Sequence, residues 1–183
     1  MMAKNNNIDN WVYLHNKDNS ARYILGEKAT KMIACIGINP STAAPHQLDN
    51  TLKSVKRIAN FNGYSGWVMY NIYPQRATNP QEIHPQLHNK IHKENLQYLK
   101  QSIIELKINT VWVACGNLIE SRDYLPGCML SIFNALKELN LSWQVSGTLT
   151  KKGHPRHPLY QSKKTRLIAF DMETYVNKKL KLH

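Results

Sequence analysis

Met32-Ile33-Ala34-Cys35-Ile36 and the residues after it, Gly37-Ile38-Asn39-Pro40-Ser41-Thr42, decide how this sequence folds. An uninterrupted apolar run of this length is typical of a strand buried on both faces. The Gly and Pro that follow favour a turn, and Ser41 or Thr42 can cap a helix after it. The sequence therefore predicts a strand, a turn and a helix, the repeating unit of an α/β protein.

Short apolar runs and amphipathic segments alternate along the rest of the chain. Buried strands are predicted at residues 67–70 and 110–114, and a fourth at residues 142–148. Apolar residues at helical spacing predict helices within residues 52–59, 87–106, 130–139 and 164–181. Strands alternating with helices predict a parallel sheet with helices on both faces. Residues 11–14 and 22–25, joined by a polar segment, predict an N-terminal hairpin.

Length and composition favour one domain spanning residues 1–183, in which residues 1–10 are expected to fray. Lys and Arg outnumber Asp and Glu by 24 to 12, which favours polyanionic partners such as nucleic acid or an acidic protein. The same excess of Lys, together with many Asn, could equally reflect biased coding DNA. Three scattered cysteines fit a reducing compartment. With no signal segment or membrane span in the sequence, we expect a cytoplasmic monomer that does not bind membranes.

Amide side chains are predicted at the carboxyl ends of two strands, the edge of an open α/β sheet where ligands bind. Asn39 follows the first buried strand, and Asn71 follows the next. The amide of a buried Asn offers both acceptor and donors, which can read a pyrimidine edge, although it can also bond local backbone. Asn71 is followed by a proline-rich stretch that contains Arg76.

A second candidate segment, Gly153 to Tyr160, contains two His-Pro pairs. Its prolines restrict the backbone, so that His154, Arg156 and His157 are held in place at low entropic cost. Such a loop could donate protons or hydrogen bonds to an anion. A zinc site through the two histidines is conceivable, but no cysteine lies nearby in the sequence, and no metal or cofactor is expected.

Three phrases of the sequence together resemble the family known as domain of unknown function 1643. They are Gly37-Ile38-Asn39-Pro40-Ser41-Thr42-Ala43, Asn71-Ile72-Tyr73-Pro74-Gln75-Arg76-Ala77-Thr78 and Pro155-Arg156-His157-Pro158-Leu159-Tyr160. The resemblance extends from about Tyr23 to Tyr160.

The same phrases are similar to motifs of the uracil-DNA glycosylase superfamily. That superfamily carries a Gly-x-Asn-Pro or Gly-x-Asp-Pro strand end, an Asn ending the next strand, and a His-Pro-x-Pro-Leu-like loop after the last strand. The resemblance implies a three-layer α/β/α sandwich around a central four-stranded parallel sheet, to which the N-terminal hairpin is added. DNA would lie across the carboxyl ends of the strands.

Roles for individual residues follow from the glycosylase resemblance. Asn39 would position the attacking water, and His157 would hydrogen-bond the departing base. Asn71 would read the flipped pyrimidine in a pocket that also includes Gly37, Ile38, Pro40 and His154. The loop that contacts DNA or an inhibitor would include Leu159 as a wedge, together with Arg76, Arg156, Pro158 and Tyr160. Because His154-Pro155-Arg156-His157-Pro158-Leu159 is one residue longer than the motif, either histidine could be the equivalent one.

Two departures from the glycosylase pattern favour binding over catalysis. Asn39 cannot act as a carboxylate base, and residues 41–60 contain no Phe, Tyr or Trp to stack on a base. We therefore expect a pseudo-glycosylase that binds DNA weakly and an acidic, DNA-mimicking glycosylase inhibitor more strongly. The alternative is an active base-excision repair enzyme that removes uracil or a damaged base. A third reading is a nucleotide-phosphate site at the helix after Asn39.

Overall fold

The computed structural model describes residues 10–182. Seven strands form one sheet: β1 (Trp11–His15), β2 (Arg22–Glu27), β3 (Met32–Gly37), β4 (Gly66–Asn71), β5 (Thr110–Val113), β6 (Ser142–Ser146) and β7 (Leu167–Ala169). The α-helices are α1 (Asn50–Phe61), α2 (Asn89–Glu105), α3 (Leu125–Leu136) and the short α4 (Met172–Thr174). The fraying expected at residues 1–9 lies outside the described residues, and the carbonyl of Asn10 accepts a hydrogen bond from the Lys28 N–H.

The sheet is mixed, with the order β1-β2-β4-β3-β5-β6-β7. The four central strands, β4, β3, β5 and β6, all run in the same direction. The expectation of a four-stranded sheet is wrong in its strand count, because antiparallel strands extend both edges. The predicted hairpin β1–β2 forms and joins the sheet through β4, and β7 pairs with β6.

The C-terminal helix expected at residues 164–181 is replaced by β7 and a series of short helical turns. Backbone pairing of Leu167 with Ser146 and of Ile168 with Val145 holds this segment in the sheet. Helical structure begins only at Met172, where the Asp171 side chain caps the amide of Thr174. It continues as a π-helical turn, Tyr175–Lys179, and a 3-10 turn, Leu180–Leu182.

Helices pack on both faces of the sheet, as the alternating pattern predicts. On one face, α1 packs through Leu52, Val55 and Ile58 against strand residues that include Ile33, Cys35, Trp67, Met69 and Trp112. On the opposite face, α2 and α3 cover Ala34, Ile36, Val68, Tyr70, Val111 and Val113. No helix within residues 10–182 is long and apolar enough to cross a bilayer.

Gly26→Ala is expected to lower the free energy of unfolding by about 1–3 kcal/mol, because overpacking displaces backbone. A Cβ at Gly26 would lie 2.3 Å from the Trp67 carbonyl oxygen and 2.7 Å from the Cα of Val68, across the β2–β4 pair. Urea unfolding measures the loss. Gly127→Ala in α3 is the matched control, since a Cβ there has no atom within 4 Å. Equal destabilisation of the two variants would contradict close β2–β4 contact.

Candidate functional site

The strand connections diverge at the carboxyl ends of β3 and β5, and we call the region outside these two ends the crevice. These strands are parallel neighbours, yet the chain after β3 leads to α1 on one face and the chain after β5 leads to α3 on the other. Such a divergence is where open α/β sheets bind ligands. The residues predicted from the sequence lie in segments around this crevice.

Asn71 ends β4 beside Gly37, with which it pairs in register. Its side chain is 1% exposed, and neither amide atom has a hydrogen-bond partner within the described protein. The backbone carbonyl of Asn71 accepts a hydrogen bond of 2.9 Å from the side chain of Asn95 in α2, which fixes the strand end. The amide of Asn71 is therefore buried without a hydrogen-bond partner within residues 10–182.

Asn39 is bound to the loops around it. Its Nδ2 donates to the carbonyls of Pro40, at 3.1 Å, and Ala77, at 2.8 Å. The backbone joins the same two loops, because the Ala77 N–H donates to Pro40 and the Tyr73 N–H donates to Ile38. The bond to Ala77 thus holds the segment after β3 against the segment after β4, and the bond to Pro40 is local.

Arg76 also has a structural set of contacts. Its guanidinium donates to the carbonyls of Ser41 and Ala43, to the hydroxyl of Tyr13, at 2.8 Å, and to the side chain of Asn19, at 3.1 Å. These bonds join the hairpin to the loop that precedes α1. Arg76 therefore organises the rim of the crevice, where the sequence suggested contact with DNA.

A buried charged group beside this rim was missed from the sequence. Arg22 is 2% exposed, and its Nη1 donates to the same Ala43 carbonyl that Arg76 contacts. Burial, and next the charge of Arg76, lower the pKa of Arg22 to about 10, whereas the Asp49 carboxylate acts in the opposite direction. Asp49 also caps α1 by accepting from the Leu52 N–H, and it accepts from the Ser41 hydroxyl. The sequence correctly places Arg22 at the start of a strand, but it does not indicate that the charged side chain is buried.

His157 lies close to the crevice as a neutral hydrogen-bond donor. Its Nδ1 accepts from the Leu159 N–H at 3.3 Å, so the ring proton is on Nε2. Burial lowers the pKa of His157, and the Asp49 carboxylate partly opposes this effect. Gly116, at φ 62°, packs against His157: a Cβ there would lie 3.3 Å from the Cβ of His157.

His154 has a different environment, which separates it from His157. It is fully buried, with Nε2 2.8 Å from a carboxylate oxygen of Glu120 and Nδ1 2.8 Å from the Tyr175 hydroxyl. Lys152 and then His154 hold the pKa of Glu120 at about 2, so that its carboxylate is charged. Both ring nitrogens of His154 are therefore occupied by the protein. No short motif pointed to Glu120 or Tyr175, because both are distant in sequence.

The loop predicted to contact DNA or an inhibitor ends in a 3-10 turn, Pro158–Tyr160, that packs against α1. Arg156 donates its Nε to the Thr148 carbonyl at 2.8 Å. Pro158 is buried and Leu159 is half-buried, whereas the side chain of Tyr160 is 88% exposed. The apolar group that this loop presents to solvent is therefore mainly Tyr160.

Two concavities of the described protein lie away from Asn39, Asn71 and His157. A groove of about 1560 Å³ runs between the hairpin and α2, and Arg76 is at its end. A hollow of about 420 Å³ is lined by Asn79, Gln81, Leu118, Ser121 and Arg122. Within residues 10–182, no cluster of three or more His, Cys, Asp or Glu side chains could hold a metal ion. We place the candidate site at the strand ends, because Asn39 and Asn71 follow the adjacent parallel strands β3 and β4 there.

Comparison with known proteins supports one assignment. No curated protein matches the chain significantly. The family model described as "Protein of unknown function (DUF1643)" matches residues 22–159. This match includes every predicted site residue except Tyr160, and it also includes Arg22 and Glu120. Because it covers most of the chain, the protein belongs to the DUF1643 family.

Proposed function

We propose that this protein is a pseudo-glycosylase: a protein with a uracil-DNA glycosylase-like fold that binds an acidic, DNA-mimicking inhibitor protein and does not excise bases. The observation that carries the proposal is the bonding of Asn39. Its Nδ2 donates to the carbonyls of Pro40 and Ala77, so the backbone holds the amide and fixes the direction of its Oδ1. An amide is also no general base, and the position that should activate water lacks the required chemistry.

The fold is compatible with the glycosylase-like part of the proposal. The central strands β4, β3, β5 and β6 are mutually parallel, and the predicted motifs follow β3, β4 and β6. The antiparallel strands β1, β2 and β7 lie outside the four parallel strands, so the divergence of the connections after β3 and β5 is retained. A surface suited to DNA also suits an acidic protein that imitates it.

The buried state of Asn71 supports binding over base excision. A base must leave the duplex and enter a pocket before its glycosidic bond can be hydrolysed. The amide of Asn71, which would read that base, is 1% exposed in the structure. A flipped base would reach it only after a rearrangement of the surrounding loops.

An active glycosylase is the second candidate, and one pair of observations favours it. The amide atoms of Asn71 have no partner within the described protein, and the Nε2–H of His157 points to a donor role. Buried polar groups without partners are uncommon, and they occur at functional sites. A base could in principle satisfy both groups.

We expect no uracil release from single- or double-stranded DNA that contains uracil. The measurement is cleavage of abasic sites with alkali after incubation with the native protein, alongside an active uracil-DNA glycosylase as the positive control. Isothermal titration with an acidic protein inhibitor of uracil-DNA glycosylase tests the binding half of the proposal. Uracil release by the native protein that disappears in Asn71→Ala would show that the protein is an active glycosylase and not a pseudo-glycosylase.

A further inference from the structure

Tyr160 is the most solvent-exposed large hydrophobic side chain of the described protein. It is 88% exposed, whereas the next, Ile104 in α2, is 53% exposed. Aromatic residues of this kind are enriched among the few side chains that dominate the binding energy of interfaces. The position of Tyr160 at the end of a loop that the sequence associated with binding makes it a candidate anchor.

The backbone presents the Tyr160 ring from a fixed turn. Pro158 is buried at the start of the turn, the Leu159 N–H donates to the ring of His157, and the Gln161 N–H donates to the Pro158 carbonyl. Before the turn, the Pro155 carbonyl accepts from the Gly116 N–H at 2.7 Å. A side chain on a prearranged turn loses little conformational entropy when it binds.

The sequence around Tyr160 concentrates positive charge. Between Glu138 and Asp171 the chain has no Asp or Glu, and it has six Lys or Arg residues: Lys151, Lys152, Arg156, Lys163, Lys164 and Arg166. Their combined charge of +6 is half of the formal net charge of +12. Five of them are exposed and Arg156 is half-buried. The Glu120 carboxylate, which reaches this region, is bonded to Lys152 and His154.

We propose that Tyr160 is the anchor residue of this protein's interface, and that its ring fills an apolar pocket on an acidic protein whose rim faces the surrounding lysines. This inference rests on the proposed function, and it names the residue on which that binding depends. Leu159, which is half-buried and belongs to a turn packed on α1, then supports the turn and makes a smaller contribution to binding. The flanking charges steer the partner to this loop, and the ring slows its dissociation.

The test compares Tyr160→Ala, Tyr160→Phe and Ile104→Ala by titration with the acidic glycosylase inhibitor. Tyr160→Ala should raise the dissociation constant at least about tenfold, as expected for an anchor. Tyr160→Phe keeps the ring and should remain within about threefold of the native protein. Ile104→Ala removes an exposed apolar side chain from α2, outside the loop, and should bind like the native protein. Because Tyr160 is exposed, its variants should have the same midpoint of urea unfolding as the native protein.

The titrations distinguish a failure of the Tyr160 anchor from a failure of the proposed function. Native binding that is unchanged in Tyr160→Ala overturns the anchor and leaves the proposed function intact. If the native protein does not bind the inhibitor, the proposed function fails and the anchor fails with it. A parallel titration with a thymine oligonucleotide separates protein from nucleic acid. Loss of oligonucleotide binding in Tyr160→Ala, with inhibitor binding retained, would assign the ring to base stacking and overturn the protein anchor.

Discussion

His154→Ala is expected to lower the free energy of unfolding by about 3–5 kcal/mol. The substitution removes a fully buried ring and leaves a cavity in its place. It also removes one partner of the Tyr175 hydroxyl and one partner of the Glu120 carboxylate, each 2.8 Å from a ring nitrogen. Cavity formation and the loss of hydrogen bonds to buried groups therefore act in the same direction. Urea unfolding at neutral pH measures the change.

His157→Ala is the matched control for this prediction, because it removes the same ring three residues further along the loop. His157 is half-buried, and within residues 10–182 its side chain makes one hydrogen bond, the 3.3 Å contact with the Leu159 N–H. We expect a loss of about 1 kcal/mol or less. Tyr175→Phe should fall between the two, at about 1–2 kcal/mol, since His154 keeps its contact with Glu120. A loss in His157→Ala equal to that in His154→Ala would contradict the distinction between the histidines.

The central strands could be predicted because a strand buried on both faces must be apolar at every position. Met32–Gly37 and Thr110–Val113 are apolar at all or all but one position, and the sequence predicts both to within one residue. The edge strand β7 could not be predicted in this way. Its three residues are apolar, but they are too few to carry a periodic signal, and two of them are exposed. Tertiary pairing with β6 overrides the helical pattern there.

The positions of the candidate residues after strands could be predicted, but the contacts of their side chains could not. Strand ends and proline-rich turns are local features, so Asn39, Asn71 and the His154–His157 loop were found from the sequence. The bonds that define their roles join distant residues, such as Asn39 with Ala77 and His154 with Tyr175. No spacing rule reports such pairs. Arg22 was missed for the same reason, because its partner carbonyl at Ala43 lies on another element.

Asn39→Asp is expected to lower the free energy of unfolding by about 2–4 kcal/mol at pH 7.5 and to create no excision activity. The motif that this segment resembles also occurs as Gly-x-Asp-Pro, so this variant tests whether the amide at residue 39 is what prevents catalysis. The change has almost no steric effect, but it replaces an NH2 group by an oxygen. That oxygen would face the carbonyls of Pro40 and Ala77, which now accept hydrogen bonds at 3.1 and 2.8 Å.

The pH dependence of this loss identifies its electrostatic origin. Two carbonyl oxygens disfavour the charged form, so the pKa of an Asp at this position should be higher in the folded than in the unfolded protein. The charge-dependent part of the loss is then absent below the unfolded pKa, grows as pH rises, and is complete above the folded pKa. Unfolding in urea should therefore show a smaller difference from the native protein at pH 4.5 than at pH 7.5.

Asn89→Asp supplies the matched control, because Asn89 is exposed in the first turn of α2, where a carboxylate is favourable. This variant should be as stable as the native protein or slightly more stable at pH 7.5. If Asn39→Asp were equally stable and released uracil, the side chain at residue 39 would face a water molecule and not the two carbonyls. The protein would then be one substitution away from an active glycosylase, and the structural reason for proposing a pseudoenzyme would be gone. If Asn39→Asp is destabilised and inactive, the loops after β3 and β4 require an amide at residue 39, because only an amide can donate to both carbonyls.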